Sequence, residues 1–427
     1  MAGYTSEELR AMVQPDRVHR AIYTDPAIFE IEMEKIFRRV WLYVGHESLV
    51  PNPGDYYCTH LARQPVVLSH HKDDGICVLF NRCGHRGAKV LNRERGNAKV
   101  FTCMYHGWSF RPNGALAGVP MRRDFPEEPL ADPQFGMAQL PQVESYRGFV
   151  FASFDPDVEP LLDYLAEARR GIDELADRSP AGEVALSAGC HRYHYRGNWK
   201  LQLENLADMY HPAACHASTV GPDGRQFKRR AGDEGGDAAF FAPNGEAVVA
   251  QTGVRGLNNR HSSEASLFDK EQSGGHWDDY RAIMVRRYGE ERTADILKNR
   301  RHSMTFFPSS DILLAQTSVR VVRPVAVDFT EVEVWPVRLE GAPESISDDL
   351  VRFVNITHAA ASFIQSDDME AFERCQEGLR TQGTDWVLVA RGLGAEIDEG
   401  NGVFFGPRSS EVGQRAQHEA WRDLMGA

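Results

Sequence analysis

The spacing of apolar positions changes along the chain and divides it into segments. Apolar residues recur at helical intervals over residues 26–40, which predicts an amphipathic helix there. From Trp41 to about Asp157 the apolar runs become short and strand-like, and Gly, Pro and Asn separate them. Helical spacing returns over residues 160–176, and helical and strand-like segments alternate after that point. The pattern predicts a small antiparallel β domain inserted in a larger α+β domain.

The predicted β domain contains five strand-like runs: VWLYVGH, PVVLSHH, GICVLFNR, AKVFTC and GFVFASF. Hairpin loops between such strands can hold ligands while the strands hold the loops. A chain of 427 residues exceeds what one hydrophobic core usually organises, so two domains are expected. We place one at residues 41–157. Residues 1–40 and 158–427 form the other, with an antiparallel sheet surrounded by helices and a surface loop at 231–237.

Composition and charge exclude several classes of protein. A net charge of −13, with no stripe of Lys and Arg, argues against a nucleic-acid partner. No apolar run approaches the ~18 residues of a membrane span, and the first residues lack a signal-peptide pattern. Seven scattered Cys, an odd number, predict no disulfide framework. These features favour an enzyme of the reducing cytoplasm.

One motif combines Cys and His in two short pieces. Cys83 and His85 form C-x-H, and Cys103 and His106 form C-x-x-H after a gap of seventeen residues. Two thiolates and two imidazoles suit a [2Fe–2S] centre in which one iron has two Cys ligands and the other two His. Cys and His alternate within each piece, so each piece offers one ligand to each iron. Such a centre transfers single electrons.

A structural zinc site is the alternative for the same residues. Zinc also takes Cys2His2 ligands, but zinc fingers usually supply both Cys first and both His later. The tight loops expected at Gly87 and Gly107, and an aromatic such as Trp108 that covers one side, favour the cluster. Zinc remains open at this point.

A second set of candidates lies in GNWKLQLENLADMYHPAACH, residues 197–216. Asp208 and His211 are three residues apart and would share a face of a helix. A break near Pro212 can redirect His216. Two His with a distant carboxylate would form the 2-His-1-carboxylate triad of non-haem Fe(II) oxygenases, which leaves adjacent coordination positions open. Taken alone, the two His are better explained as buried core residues, and the upstream Cys/His motif reverses that preference.

The motifs together resemble the large (alpha) subunits of aromatic-ring-hydroxylating oxygenases, which contain a Rieske [2Fe–2S] domain. The runs that carry the resemblance occur in the family's order and separation: CGHRGA, CMYHGW, SYRGFVFASFDPDVEPLLDYL, GNWKLQLENLADMYHPAACH and SDDMEAFERCQEGL. They extend over nearly the whole chain. Within the family, the GNWK–ENxAD–YH and DDMEAFERCQEG runs are most similar to benzoate- and toluate-type dioxygenases.

The resemblance implies an iron site with three protein ligands. His211 and His216 match the two His ligands, and Asp368 matches the carboxylate ligand. Asp367, directly before it, is the alternative that the sequence alone leaves open.

The resemblance also gives Asp208 a catalytic role. The matching residue in the family connects an iron ligand, here His211, with a cluster ligand of a neighbouring chain, here His106. An isolated Asp would instead be read as a surface carboxylate. Asn205 is expected near the iron, and Phe307 is a candidate for the lining of the substrate pocket.

The cofactors implied are one [2Fe–2S] cluster and one mononuclear Fe(II) per chain, with O2 and NAD(P)H as cosubstrates. The run GLGAEIDEG (392–400) lacks a complete dinucleotide fingerprint, so a separate NAD(P)H-dependent reductase is expected, with or without a ferredoxin. A small beta subunit and a homotrimer of large subunits, α3 or α3β3, are also expected.

The resemblance favours a small aromatic carboxylate as substrate, oxidised to a cis-dihydrodiol. A carboxylate in an apolar pocket needs Arg or backbone donors. The candidates in the catalytic part are Arg192, Arg196, Arg225, Arg320 and Arg323. Anthranilate, salicylate, phthalate-like, neutral or fused-ring substrates stay open, as does single hydroxylation. A pure electron carrier and a zinc-stabilised binding module are the two other protein classes considered.

Overall fold

A computed structural model describes residues 3–217, 253–268, 274–297, 299–314, 317–407 and 410–427. The chain divides into two compact units: Met1–Ile36, Leu162–Val184 and Ala188–Ala427 form the larger unit, and Phe37–Leu161 with Ala185–Ser187 form the smaller unit. The predicted small domain, residues 41–157, falls inside the smaller unit. The predicted loop at 231–237 and Arg225 lie outside the described residues.

The helices in the described parts of the chain are, in order, α1 (Ser6–Ala11), α2 (Ala21–Thr24), α3 (Pro26–Lys35), α4 (Glu127–Ala131), α5 (Leu161–Leu165), α6 (Arg169–Asp177), α7 (Trp199–Leu206), α8 (Pro212–Cys215), α9 (His276–Tyr288), α10 (Glu290–Leu297), α11 (Glu344–Thr357), α12 (Gln365–Leu379) and α13 (Val412–Gly426). The helix predicted at 26–40 is confirmed as α3, which ends earlier than predicted. It begins where it does because the Asp25 carboxylate accepts a hydrogen bond from Ala27 N at 2.7 Å. None of the described helices is long and apolar enough to cross a bilayer.

The strands are, in order, β1 (Val13–Gln14), β2 (Arg17–His19), β3 (Leu42–His46), β4 (Asp55–Leu61), β5 (Gln64–His71), β6 (Gly75–Phe80), β7 (Arg95–Asn97), β8 (Phe101–Thr102), β9 (Ser109–Phe110), β10 (Leu116–Gly118), β11 (Gln142–Tyr146), β12 (Phe149–Ser153), β13 (Val184–Ala185), β14 (His191–Tyr195), β15 (Gly253–Leu257), β16 (His261–Phe268), β17 (Asn299–Phe306), β18 (Ser310–Leu313), β19 (Ser318–Ala326), β20 (Phe329–Pro336), β21 (Arg338–Leu339), β22 (Trp386–Leu388), β23 (Ile397–Gly400) and β24 (Val403–Pro407). Each of the five predicted strand-like runs overlaps one of these strands. The strand predictions are therefore confirmed.

The smaller unit consists of short antiparallel sheets. One has four strands in the order β6-β5-β4-β7, and two have three strands in the orders β11-β12-β3 and β10-β9-β8. Its apolar core includes Phe101, Trp108 and Phe110, together with the side chains of Cys83 and Cys103. The two candidate cysteine ligands therefore lie in a packed and buried interior.

The larger unit is built on a nine-stranded antiparallel sheet in the order β14-β20-β19-β18-β17-β16-β15-β24-β23. Helix α13 packs directly on this sheet. A Cβ added to Gly413 would lie 2.9 Å from side-chain atoms of both Ala207 and Val254, so glycine permits the close approach. Gln417 of the same helix donates to Ser262 Oγ at 2.9 Å and to Leu203 O at 3.3 Å. Helix α7, which leads to the second candidate site, is thereby held against the sheet.

A buried ion pair fixes the start of α7. Glu32 of α3 is fully buried and pairs with Lys200, which is 4% exposed. The same carboxylate accepts hydrogen bonds from Trp199 Nε1 at 2.9 Å and Trp421 Nε1 at 2.7 Å. A buried charge pair is retained at tolerable cost only when its remaining hydrogen-bonding groups are satisfied, as they are for Glu32. Three helices, α3, α7 and α13, are joined at this point.

Candidate metal centres

The two Cys/His loops of the smaller unit have the same backbone hydrogen bonds. Cys83 N donates to Ala88 O at 2.8 Å, and Gly87 N donates to Cys83 O at 3.0 Å. The second loop, residues 103–108, repeats both bonds with the same spacing and the same distances. The two halves of the motif are therefore two copies of one turn, although their His residues occupy different positions in it.

Glycine is required in these loops for two different reasons. Gly87 has a φ of +73° and Gly107 a φ of +71°, in the left-handed region that side chains rarely adopt. Gly84 is needed for space instead, since a Cβ there would lie 2.2 Å from the backbone oxygen of Phe135. The loop shape predicted from these glycines is confirmed.

The structure brings the predicted cluster ligands together. Cys83 and Cys103 are each 2% exposed, whereas His85 and His106 are only half-buried. The two imidazole centroids are 4.6 Å apart. His85 Nδ1 is buried and has no hydrogen-bond partner among the described residues. A buried ring nitrogen without a partner fits a metal ligand, and the donor set fits a cluster with its Cys side inward and its His side outward.

Aromatic rings cover the His side of this site. The His85 ring stacks on Trp108, with centroids 4.8 Å apart and planes inclined by 5°. Phe125 lies edge-on to both of these rings, and Tyr105 packs on His106 at 3.8 Å. The predicted aromatic cover is present. It limits the access of water to the imidazoles, and solvent access affects the redox potential of a cluster.

The Cys83 thiol has a perturbed acidity. Burial raises its pKa, the neighbouring Cys103 adds to the rise, and the backbone N–H groups of His85 and Arg86 oppose it. A bound metal ion deprotonates coordinating thiols, which outweighs such a desolvation cost.

The second candidate site follows α7, and its local structure differs from the prediction. We expected Asp208 and His211 to share a helical face, but α7 ends at Leu206, so Asp208 lies beyond it. Helix α8 begins at Pro212, directly after His211. Proline favours the first turn of a helix, where its missing N–H costs nothing. The prediction that Asp208 and His211 share a helical face was therefore wrong. The predicted break near Pro212 is confirmed.

The ligand atoms of His211, His216 and Asp368 lie within 4.8 Å of one another. Asp368 Oδ1 is 3.1 Å from His216 Nε2 and 3.6 Å from His211 Nε2. Asp368 and His216 are each 3% exposed. Two His nitrogens and one carboxylate oxygen on converging side chains fit a mononuclear iron with open coordination positions. The family resemblance predicted these three residues as ligands of one metal ion, and the fold brings their side chains together.

Two further side chains contact the ligands. Asn205 Nδ2 lies 3.1 Å from both His211 Nε2 and Asp368 Oδ1, beside the ligand atoms as expected. Asp367 Oδ2 lies 3.3 Å from the other ring nitrogen of His216, Nδ1. Sequence reasoning had treated Asp367 only as an alternative ligand. A carboxylate at this nitrogen orients the imidazole and raises its basicity.

Asp208 is held by a local turn. Its Oδ1 accepts hydrogen bonds from Tyr210 N at 2.6 Å and from His211 N at 3.3 Å. Its Oδ2 lies 3.5 Å from His211 Nδ1, an ion-pair distance. Burial favours a higher pKa for Asp208, but His211 and the two backbone N–H groups outweigh it and lower the pKa. The carboxylate is therefore ionised at neutral pH.

The pKa values of the ligand residues also favour the binding of a cation. Burial favours a higher pKa for Asp368. The pKa is nevertheless lowered overall, by a hydrogen bond from His216 and by the charges of His211, His216 and Arg320. Burial lowers the pKa of His216, and its contacts with Asp368 and Asp367 reverse this and raise it. An ionised buried carboxylate surrounded by ring nitrogens is a favourable environment for a divalent metal.

The substrate candidates occupy different environments. Phe307 is 2% exposed, and its carbonyl accepts a hydrogen bond from Tyr164 Oη at 2.5 Å. Arg192 Nε and Arg323 Nη2 each lie 2.9 Å from Glu333 Oε1, and Arg196 is exposed. Arg320 is 1% exposed and lies opposite Asp311 across strands β18 and β19. No pattern in the sequence distinguishes Arg320 from the other four arginine candidates.

Comparisons with known proteins identify the family. Residues 40–143 match the model of the Rieske [2Fe-2S] domain, and residues 184–427 match that of the ring hydroxylating alpha subunit (catalytic domain). The second match alone spans more than half of the chain. The chain belongs to the ring-hydroxylating oxygenase alpha-subunit family. The Rieske match decides between the cluster and zinc in favour of the cluster, and the catalytic match excludes a pure electron carrier.

Relatives of this ring-hydroxylating oxygenase cover most of its length. It is 32% identical over 383 residues to the large subunit of the 2-halobenzoate 1,2-dioxygenase of Burkholderia cepacia, covering 88% of this chain and 80% of the relative. It is 31% identical over 434 residues to the alpha subunit of the toluate 1,2-dioxygenase of Pseudomonas putida, covering 96% of this chain and 91% of that relative. A solved structure of naphthalene 1,2-dioxygenase with bound indole is similar with a TM-score of 0.84 and 25% identity, over 99% of this chain and 95% of that one.

Membership of the family establishes the enzyme class and its cofactors. The oxygenase is an oxidoreductase with one Rieske [2Fe–2S] cluster and one mononuclear iron per chain, and it uses O2 and NAD(P)H through a reductase. Family members are multicomponent oxygenases with oligomeric alpha subunits and reductase partners. The predicted fold, a small Rieske domain with an α+β catalytic domain, is likewise confirmed.

Proposed function

We propose that this chain is the terminal oxygenase subunit of a dioxygenase that converts a benzoate-type aromatic carboxylate to a cis-dihydrodiol. The reaction adds both atoms of O2 to the ring and consumes two electrons and two protons, which a separate reductase draws from NAD(P)H. The observation that carries the proposal is the convergence of His211, His216 and Asp368, in a chain that also contains the paired Cys/His loops.

We assign the metal ligands residue by residue. Cys83 and Cys103 hold one iron of the cluster, and the half-buried His85 and His106 hold the other. In this assignment these residues belong to a Rieske domain that comprises residues 41–157. When bound, the cluster supplies single electrons, and the mononuclear iron supplies the position where O2 meets the ring.

The mononuclear iron takes the remaining ligands in this assignment. They are His211, His216 and Asp368, while Asp367 is a positioning residue that contacts His216 Nδ1. Asp368 is 3% exposed, whereas Asp367 is half-buried. This difference in burial supports Asp368 as the ligand.

Asp208 orients the His211 ring and acts as the link to a neighbouring chain. Its ionised carboxylate lies at His211 Nδ1, which leaves Nε2 of that ring for the metal. In a trimer, α3 or α3β3 with a small beta subunit, the same carboxylate would contact His106 of the next chain. Each active site would then depend on its neighbour, in a cytoplasmic assembly.

The carboxylate substrate is supported by two relatives that are named for substituted benzoates. The similar structure named for naphthalene keeps neutral rings as the alternative. A further alternative is another aromatic carboxylate, namely anthranilate, salicylate or a phthalate-like ring, or single hydroxylation of the ring.

Product analysis tests this function. The purified oxygenase, a compatible reductase and NADH are supplied with benzoate, anthranilate, salicylate, phthalate or naphthalene under 18O2, and products are read by mass spectrometry. We expect a cis-dihydrodiol with two labelled atoms from a carboxylate. Asp368→Ala, which removes a proposed iron ligand, is the matched control and should give none. Products from naphthalene alone would refute the carboxylate, one labelled atom would indicate a monohydroxylase, and no product from any ring would refute the function.

A further inference from the structure

Asp311 and Arg320 form a buried pair of opposite charges that do not satisfy each other. They are direct neighbours across strands β18 and β19, so their side chains leave the same face of the sheet. Asp311 is fully buried and Arg320 is 1% exposed. The approach of Arg320 Nε to Asp311 Oδ2 is 4.0 Å, which is too long for a hydrogen bond.

Most polar atoms of this pair are unused. Both carboxylate oxygens of Asp311, and Nε and Nη1 of Arg320, have no hydrogen-bond partner among the described residues. Burial raises the pKa of Asp311 to about 7, although the charge of Arg320 opposes the rise. The guanidinium therefore lacks a full counter-charge near neutral pH. An unsatisfied buried cation is costly, and an anionic ligand would remove that cost.

The pair belongs to the surroundings of the iron ligand Asp368. Strand β19, which contains Arg320, packs against helix α7, and Asn205 of that helix donates a hydrogen bond to Asp368 Oδ1 at 3.1 Å. Gln365, one helical turn before Asp368 on α12, is fully buried, and neither atom of its amide has a partner among the described residues. Unused hydrogen-bonding groups thus lie on both the sheet and the helix in this region.

Arg320 differs from the other described arginine candidates in its burial and in its lack of a close carboxylate partner. Arg192 and Arg323 each lie 2.9 Å from the Glu333 carboxylate, and Arg196 is exposed. Among these four arginines, Arg320 alone combines near-complete burial with the lack of a carboxylate contact shorter than 4.0 Å.

We propose that Arg320 binds the carboxylate group of the aromatic substrate and thereby selects anionic over neutral rings. The inference rests on the proposed function, since it requires a ring held beside the iron. A guanidinium donates N–H groups to a carboxylate, and Arg320 has two such groups, Nε–H and Nη1–H, without a hydrogen-bond partner among the described residues. In the free enzyme Asp311 is the only carboxylate described as pairing with Arg320, so it competes weakly with the substrate.

Equilibrium binding tests this assignment on the holoenzyme. Calorimetry without O2 would measure Kd for benzoate, anthranilate, salicylate and phthalate, and for benzamide as the neutral analogue of benzoate. In Arg320→Met the Kd of the tightest carboxylate should rise about 30-fold, while that of benzamide should change less than about threefold. The surface variant Arg192→Gln, at a paired and exposed arginine, should leave both unchanged.

Asp311→Asn distinguishes binding from a structural role. The variant removes the competing carboxylate and keeps Arg320, so carboxylate affinity should stay the same or increase. A purely structural ion pair predicts that both variants lose affinity for carboxylate and benzamide alike. That result, or an unchanged carboxylate Kd in Arg320→Met, would overturn the inference. If Arg320→Met fails to retain iron, Asp311→Asn decides by the direction of its effect.

The test also separates this inference from the proposed function. A wild-type enzyme that binds and oxidises only neutral rings would refute the carboxylate substrate itself. A wild-type enzyme that oxidises a carboxylate, together with an Arg320→Met variant that binds it equally well, would refute only the role of Arg320.

Discussion

Asp208 and Asp368 contact opposite nitrogens of one imidazole, that of His211. Asp208 Oδ2 lies 3.5 Å from Nδ1, and Asp368 Oδ1 lies 3.6 Å from Nε2. The ring is therefore placed between a carboxylate that is proposed to bind iron and one that is not. A carboxylate behind a ligating imidazole fixes the ring orientation and the tautomer.

Replacement of Asp208 by Asn should uncouple metal binding from turnover. The amide lacks the charge that, in the proposed trimer, links His211 to the cluster ligand His106 of the next chain, so product formation with the reductase should fall about 100-fold or more. Iron content and the visible spectrum should stay at wild-type values. Asp348→Asn, on the exposed side of α11, is the control and should keep full activity. Normal product formation in Asp208→Asn would remove the proposed link.

Asp367 and Asp368 should differ in their effect on iron. Asp368→Ala removes the buried carboxylate at Nε2 of both His ligands, so iron should fall from about three to two per chain, with the cluster spectrum intact. Asp367→Ala removes only the contact with His216 Nδ1 and should weaken iron affinity about 10- to 100-fold. Metal analysis after dialysis measures both. The reverse order of the two losses would make Asp367 the ligand.

Gly84→Ala should disrupt the cluster. The added Cβ would lie 2.2 Å from a backbone oxygen of Phe135, which cannot move as a side chain can. We expect more than half of the visible absorbance of the cluster to be lost. Gly383→Ala is the matched control, since a Cβ there meets only the end of the Thr381 side chain at 3.9 Å. Full cluster content in Gly84→Ala would show that the loop does not need this close approach.

The buried His261 should make stability depend on pH. Its Nδ1 accepts from Phe307 N at 3.1 Å, and its Nε2–H donates to Tyr164 O at 2.9 Å, so the neutral ring is the form that fits. Burial lowers its pKa to about 3 from an ordinary value near 6.5. Its stabilisation is therefore complete above about pH 6.5 and is lost as the pH falls toward 3.

This dependence is measurable between pH 7.5 and 5. The wild-type enzyme should lose about 2 kcal/mol of stability over that range through His261 alone. His261→Gln keeps an acceptor and a donor but does not titrate, so it should start less stable and lose about that much less. Thermal unfolding at several pH values measures the difference. Parallel pH profiles for the two proteins would contradict the assignment.

Local features of the fold and of the cluster loops were predictable from sequence. The strand-like runs and the glycines of residues 83–88 and 103–108 act over a few residues, where chain geometry leaves few choices. The same reasoning failed just after α7. Helical spacing suggested that Asp208 and His211 share a face, whereas the side chain of Asp208 bonds the backbone of the next residues and continues a turn.

Long-range relationships were beyond a single sequence. Asp368 was assigned by resemblance alone, because nothing near it in the chain indicates contact with His211. Arg320 could not be separated from four other arginines, since its burial depends on the register of β18 and β19. The role of Asp367 follows from the orientation of the His216 ring, which spacing along the chain does not specify.

A single turnover of the reduced oxygenase shows whether the two metal centres of the chain act together on an aromatic ring. The enzyme is reduced chemically, freed of reductant, and mixed with the carboxylate substrate and 18O2 in the absence of any reductase. We predict a cis-dihydrodiol that contains two labelled atoms, formed as the visible spectrum returns to that of the oxidised cluster. Product that forms while the cluster stays reduced, or that forms equally well after the cluster has been removed, would show that the two metal centres do not act together.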